Sequence, residues 1–513
     1  MKKLFITENK KKFLYIFCIC LFFGIFAHGY RLINNLYTHD GLLDVIEDNI
    51  QYQRALGRFM QTFTILIRGT ICTPWLIGII GIIFLSLSVY LIIDLLEIKN
   101  KLSFAFVAGI MICNIVITTS AAAFIPWFDV YAVALFFASL GAWMIAKNKL
   151  IYYIAGGVSL IISLGFYQAY VDVALFLLLI FFLKQFRNAK KITTVWVAAG
   201  KTAVTVLCSA IGYYAVFKLV CKIHHVDSLE SYNSLTQLSN ISGSSVFTSL
   251  ATTYKTFFEY FTAQDGFYAK IGSHTDIWHT LTVIASVATL LMVIVGLIVL
   301  LIKKKPHWSV LLIHIIGVIA VPVFANAVCI MSSGMEHILM VYSFILVFVW
   351  AISLWEECGE VFPKKIISVG HIAAIVLTLI CVWNNIVFSN QLYYRIDLQD
   401  KAFDSFATRM VNDIENVEGY EYGSTKVVIY GSFENSPYIN NLSVFENVNA
   451  MGVGKTPISY MQTFYSYASY YQNIKMNFTF ASEPTEEIIN MPSYPAAGSI
   501  VTDGDQVIIK ISD

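Results

Sequence analysis

The chain has 513 residues, 57% of them hydrophobic and 15% aromatic, with a mean hydropathy of +0.68. A soluble domain cannot hide that much apolar surface, so the composition excludes one and points to a polytopic membrane protein. The 34 Lys and Arg balance 33 acidic residues, which leaves no basic excess for a nucleic-acid partner.

About 20 apolar residues suffice to cross a bilayer, and the chain offers about eleven such segments. They lie at 13–36, 74–96, 102–124, 127–146, 150–167, 170–183, 194–220, 278–302, 309–329, 338–354 and 366–388. The first is too long for a signal peptide and lacks a small-residue cleavage site, so it is expected to be retained. The nine cysteines lie in or beside these segments without a CxxC pair or a Cys/His metal spacing, and read as small core hydrophobes.

Cytoplasmic loops carry the excess of Lys and Arg. Lys2 to Lys12, Lys99 and Lys101, Lys147 and Lys149, Lys184 to Lys191, Lys303 to Lys305, and Lys364 with Lys365 fill every second connection. The intervening short connections near Pro126, Gln168 and Ser332 have none. The expected topology is an N-terminus inside and a C-terminus outside, with three larger parts on the outer face: loops 37–73 and 221–277, and the tail 389–513.

The first of these opens with YTHDGLLDVIEDNIQYQRALGR at 37–58, which concentrates ionisable residues in a chain only 13% charged. On a helix, Asp40, Asp44, Glu47, Gln51, Arg54 and Arg58 fall on one face, acidic at one end and basic at the other. An amphipathic surface helix explains such a stripe; its position between two apolar segments equally marks a site. The second loop holds an aromatic patch, Phe257, Phe258, Tyr260 and Phe261, that fits an interfacial belt better than a lipid or sugar seat.

The tail has soluble composition. Helical spacing covers 402–417, a β-branched run covers 426–430, and 501–511 reads as a hairpin through Asp503-Gly504-Asp505. A small extracytoplasmic α/β or α+β domain follows, without a catalytic motif; packing or acceptor binding is its expected role. No GxGxxG or Walker pattern occurs, so no nucleotide cofactor is expected.

Several short motifs in order resemble the glucosyltransferase II family of bacterial and phage membrane glycosyltransferases. They are THDGLLDVIED after the first span, LGRFM before Pro74-Trp75-Leu76, Trp127-Phe128-Asp129-Val130-Tyr131, and Phe166-Tyr167-Gln168-Ala169-Tyr170. The likeness covers most of 1–388 and little of 389–513. It implies the GT-C architecture in a bacterial plasma membrane, with a hexose, glucose by the family name, moving from a polyprenyl phosphate to a surface glycan on the outer face. GT-C enzymes carry a catalytic carboxylate in the first outer loop, and Asp40 matches it best.

A lipid phosphate leaves without protonation, so one carboxylate acting on the acceptor hydroxyl suffices, unlike glycoside hydrolysis with its second carboxyl acid. Asp40 ranks first as base, with Asp44 and Glu47 as alternatives; Asp40 fits a helix N-cap equally well. Arg54, Arg58 and His337 are the candidates for the donor phosphate. An unbroken helix separates Asp40 from Arg58 by about 27 Å, so the loop must fold back, or Arg31, Arg68, His337 or Lys222 serves instead.

His39, Asp129, Tyr167 and Gln168 are candidates for sugar contacts, with interfacial helix ends an equal reading for Asp129 and Gln168. No metal is expected, because the donor has one phosphate rather than a pyrophosphate. A flippase or transporter of a lipid-linked glycan is the alternative function; the large outer tail and acidic outer loop count against it.

Overall fold

The computed structural model describes residues 2–43, 49–229, 243–262, 276–334, 337–361, 364–442, 448–481 and 485–512. Its helices in chain order are α1 (Lys2–Ile33), α2 (His39–Leu43), α3 (Asn49–Ala55), α4 (Gln61–Arg68), α5 (Pro74–Leu95), α6 (Lys101–Ile112), α7 (Ile115–Ala123), α8 (Phe128–Ile145), α9 (Leu150–Phe166), α10 (Val171–Asn188) and α11 (Ile192–His224). There follow α12 (Gly243–Thr262), α13 (Asp276–Lys304), α14 (Trp308–Ala325), α15 (Ala327–Met331), α16 (Leu346–Val361) and α17 (Lys364–Glu415).

Among the described residues, nine helical segments are long and apolar enough to cross a membrane, or ten if α6 and α7 count as one bent span. The 17-residue α9 completes the apolar set. The expected third span is therefore broken, by 42°, where a continuous helix had been read. Asn114 explains the break: its side-chain oxygen accepts the Ile117 N–H at 3.0 Å, while its amide donates to the carbonyls of Ile110 and Met111. One side chain thus caps α7 and closes α6.

Close helix approach in lipid relies on small residues rather than on a hydrophobic drive. Gly141 of α8 and Gly156 of α9 meet backbone to backbone, and a Cβ at either would lie 3.0–3.1 Å from the other's carbonyl oxygen. Charge collects at the two ends of the bundle. At one, Arg187 pairs with the buried Glu357, Lys304 joins it at 2.9 Å, and Lys184 pairs with Glu97 at 2.7 Å. The other end carries Asp40 and the C-terminal sheet.

The aromatic patch of α12 is not an exposed belt. Phe257 and Phe261 are buried, with rings 5.1 Å from Phe344 and 6.1 Å from Phe348 respectively; of the two neighbours, Phe258 is the exposed one. Ser249, Thr253, Thr256, Phe257 and Phe261 advance at helical spacing along the buried face, so α12 packs into the bundle.

α17 runs 52 residues without a break, about 78 Å at 1.5 Å per residue and far longer than a bilayer core. The expected boundary at 388/389 falls inside it. Beyond the bundle its buried face, Phe403, Phe406, Ala407, Met410 and Ile414, packs on a four-stranded sheet. Strands β1 (Lys426–Tyr430), β2 (Asn477–Ala481), β3 (Ile500–Asp503) and β4 (Gln506–Lys510) are ordered β2-β1-β4-β3. β1 is parallel to β2 and β4, whereas β3 and β4 form the expected antiparallel hairpin, turning at Gly504.

Leu42 of α2 belongs to this outer core, 1% exposed among Phe403, Phe406 and Phe464. Conversely, Val448 and Ala450 of the outer domain belong to the core of the bundle. Removing a buried Leu side chain down to Ala costs about 2–5 kcal/mol. Leu42→Ala is therefore expected to lower the melting temperature of the detergent-solubilised protein by several degrees; an unchanged melting curve would show that α2 is not held by the outer core.

Candidate functional site

The site is built where the chain leaves α1. Arg31, fully buried, donates from Nε to the Ala121 carbonyl at 2.9 Å, and from its terminal nitrogens to Asn34 and Leu36 at 3.1 and 3.2 Å. A buried guanidinium needs its donors matched, and three carbonyls match them. Arg31 therefore fixes the path of 34–36 and is not free for a phosphate. One step on, the Tyr37 N–H donates to Asp400 of α17 at 2.8 Å.

Thr38 then caps α2: its hydroxyl accepts the Gly41 N–H at 3.2 Å, and its carbonyl accepts the Leu42 N–H at 3.0 Å. Capping thus falls to Thr38, not Asp40, and the carboxylate of Asp40 is directed elsewhere. Oδ2 accepts the indole N–H of Trp127 at 3.1 Å and Oδ1 lies 3.2 Å from His39 Nδ1. With 29% of its side chain exposed, Asp40 is held in place and still reachable.

The chain reverses after α3. Gly57 adopts φ +80°, and a Cβ there would sit 2.3 Å from the Tyr213 hydroxyl, so this turn requires glycine. The amide of Gln168 donates to the Leu56 carbonyl at 2.8 Å and to the Tyr213 hydroxyl at 3.0 Å, and that hydroxyl donates to the Gly57 carbonyl at 3.1 Å. Met60 and Gln61 extend the seam through the Gly165 and Phe166 carbonyls, both at 2.9 Å. Arg58 follows the turn rather than continuing a helix, and its guanidinium lies over the Tyr167 ring, 4.9 Å from the centroid.

Arg58 Nη1 donates weakly to Gln53 at 3.4 Å; its Nε is buried with no hydrogen-bond partner among the described residues. An unmatched buried donor beside an aromatic shelf makes Arg58 a candidate contact for an anion. Tyr167 continues the shelf through Tyr131 at 4.7 Å and Tyr170 at 5.7 Å.

His337 lies within electrostatic reach of both charges. Its pKa falls from the ordinary 6.5 to about 4, chiefly through burial and then through the positive charge of Arg58, against the opposing negative charge of Asp40. The ring is neutral, its Nδ1 accepts the Leu339 N–H at 3.2 Å, and Nε2 therefore carries the hydrogen. It packs against Phe124 at 5.7 Å.

Of the other sequence candidates, Asp44 and Glu47 fall outside the described residues. Arg54 is partly exposed and donates to Gln51 at 3.3 Å. Asp129 forms a buried ion pair with Arg68 at 2.8 Å, and its second oxygen accepts the Val130 N–H, so both residues are engaged with each other. Lys222 is exposed near the end of α11. Among the described residues no three His, Cys, Asp or Glu side chains gather as for a metal.

Sequence reasoning did not assign Trp127, Tyr213 or Tyr460. Trp127 stood in a quoted motif without a role; Tyr460 enters from the outer domain, where its hydroxyl lies 2.8 Å from His39 Nε2.

Because His337 is neutral down to about 4 in the fold but takes a proton near 6.5 when unfolded, its contribution is intact above pH 6.5 and lost as pH falls toward 4. The loss amounts to about 3 kcal/mol. Melting curves between pH 7 and pH 4.5 should fall less steeply for His337→Asn than for the parent; parallel slopes would contradict the buried neutral imidazole.

A family model for the glucosyl transferase GtrII matches residues 29–349 of the 513. The match holds Asp40, Arg58, Tyr167, Gln168 and His337, and ends before α17. No curated protein and no solved structure matches the chain.

Proposed function

The chain belongs to the GtrII glucosyl transferase family, and from that premise and the geometry around Asp40 we propose that it moves glucose from a polyprenyl phosphate to a surface glycan. The reading extends to a GT-C type enzyme of the bacterial plasma membrane with its active site on the outer face. The alternation of lysine-rich and lysine-free connections supports that orientation, since the Asp40 end is the lysine-poor one.

In this reading Asp40 is the base. It takes the proton of the acceptor hydroxyl as that oxygen bonds to the sugar C1, while the bond from C1 to the phosphate oxygen breaks. The lipid phosphate departs as a monoester and keeps the electron pair, so no second carboxyl is needed. Attack from the face opposite the phosphate inverts the anomeric centre.

Arg58 and His337 receive the departing charge. Arg58 offers its unmatched Nε and a plane fixed by Tyr167, and His337 offers an uncharged Nε2–H. Donors already oriented in a site sheltered from water need no rearrangement as charge develops. Asp44 and Glu47 remain candidates beside Asp40, and His39 is assigned to the base rather than to sugar. Tyr167 forms the floor under the phosphate and Gln168 holds the turn that carries Arg58. The observation that supports the proposal most is the turn at Gly57, after which the Arg58 guanidinium, its Nε unmatched, lies over the Tyr167 ring.

Transfer of label from polyprenyl-phosphate [14C]glucose into the glycan of native cell envelopes measures this. Asp40→Asn keeps an acceptor for Trp127 but removes the base, and is expected to lose activity by about 100-fold or more. Retention of a tenth or more of the parent rate would reject Asp40 as base. Arg58→Gln should lower kcat/KM for the donor by about 100-fold, the range of a lost charge-assisted contact to the transition state; an unaffected donor kcat/KM would move the phosphate site elsewhere.

A further inference from the structure

Among the described residues, Tyr460 brings the outer domain to the side chains of the Asp40 turn. Tyr460 opens the short helix Met461–Ser466, and its backbone is pinned there by the Thr463 hydroxyl, which accepts the Tyr460 N–H at 3.3 Å and donates to its carbonyl at 3.0 Å. The same helix grips α2 from the other side: Ser466 donates to the Leu42 carbonyl at 2.5 Å, and just beyond it Tyr471 donates to the Gly41 carbonyl at 3.4 Å. Helix and base-bearing turn therefore form one unit.

Within that unit runs a chain of three side chains, Tyr460 OH to His39 Nε2 at 2.8 Å and His39 Nδ1 to Asp40 Oδ1 at 3.2 Å. The protons follow from the chemistry. An ionised carboxylate accepts only, so Nδ1 carries the hydrogen; a neutral imidazole then has Nε2 as its acceptor, and the phenol must donate to it. In the neutral ring, the Tyr460 contact fits the tautomer in which His39 donates to Asp40.

We propose that Tyr460 is a positioning residue of the transferase: the outer domain completes the catalytic base by fixing the His39 tautomer that holds the Asp40 carboxylate toward the acceptor. The proposal rests on Asp40 being the base. Trp127 restrains Oδ2 and His39 restrains Oδ1, so both oxygens have a fixed direction only while the chain is complete. Without the phenol that selection is lost, and the other tautomer of the half-exposed His39 would present a bare Nδ1 lone pair to the carboxylate and repel it.

The test measures label transfer from polyprenyl-phosphate [14C]glucose into native envelopes with the full chain. Tyr460→Phe is expected to lower kcat about tenfold to a hundredfold, as loss of an outer hydrogen-bond partner does elsewhere, with the donor KM unchanged. The decisive variant is His39→Asn, whose amide reproduces the Nδ1 donor to Asp40 but has no second nitrogen for Tyr460. In that background Tyr460→Phe should cost nothing further.

A Tyr460→Phe rate within twofold of the parent, or an equal loss in both backgrounds, overturns the proposal. So does a loss confined to the donor KM. If Tyr460→Phe proves poorly folded by its melting curve, His39→Asn alone still decides: it should hold most of the activity that His39→Ala loses, and equal activity of the two refutes the positioning role. The two readings separate cleanly. Asp40→Asn active sinks both, whereas Asp40→Asn inactive with Tyr460→Phe unimpaired sinks this one alone.

Discussion

The hydrogen bond from the Gln168 amide to the Leu56 carbonyl is the constraint on which the arrangement depends. It joins the connection between α9 and α10 to the long loop between α1 and α5, and with Tyr213 it holds the chain in the glycine turn at Gly57. Neither polar group has water to fall back on, so each is satisfied by the other. Arg58 is carried by that turn. Without the seam, guanidinium and carboxylate would be strung out along the loop.

Lipid dictates where the remaining charges stand. A buried charge is tolerated when paired or when its hydrogen bonds are complete, and Arg31, Arg68 with Asp129, and Arg187 with Glu357 follow that rule. Arg58 departs from it, since its Nε is buried and unmatched. The contrast separates arginines whose donors are spent on the fold from one with a donor left over. Residue type alone does not make that distinction: Arg31 and Arg68 were equally eligible until their carbonyls and carboxylate were located.

The helices were legible because hydropathy is a local property, and each apolar segment of the sequence became helix. So were the β1 strand and the hairpin. What escaped has a physical reason in each case. Asn114 inside an apolar run was the visible mark of the α6/α7 break, but an asparagine signals a cap only when its partners are known. The α12 face mixes Ser and Thr with Phe, whose spacing fits a surface helix and a buried one alike. Asp40 looked like a cap because the actual cap, Thr38, precedes it by two residues. Tyr460 acts across 421 residues of chain, a pairing that no local pattern encodes.

The two hydrophobic cores trade residues: Leu42 sits in the outer one, and Val448 and Ala450 sit in that of the bundle. α17 passes between them as a single rod, with no joint at residue 388. The halves are therefore interlocked rather than appended. Grafting the outer part of another chain onto this bundle would fail if spliced at the hydropathy edge; a working chimera must exchange 37–43 together with the outer stretch of α17 from Phe403 and everything after it, and re-fit the 448–450 contact to its new host.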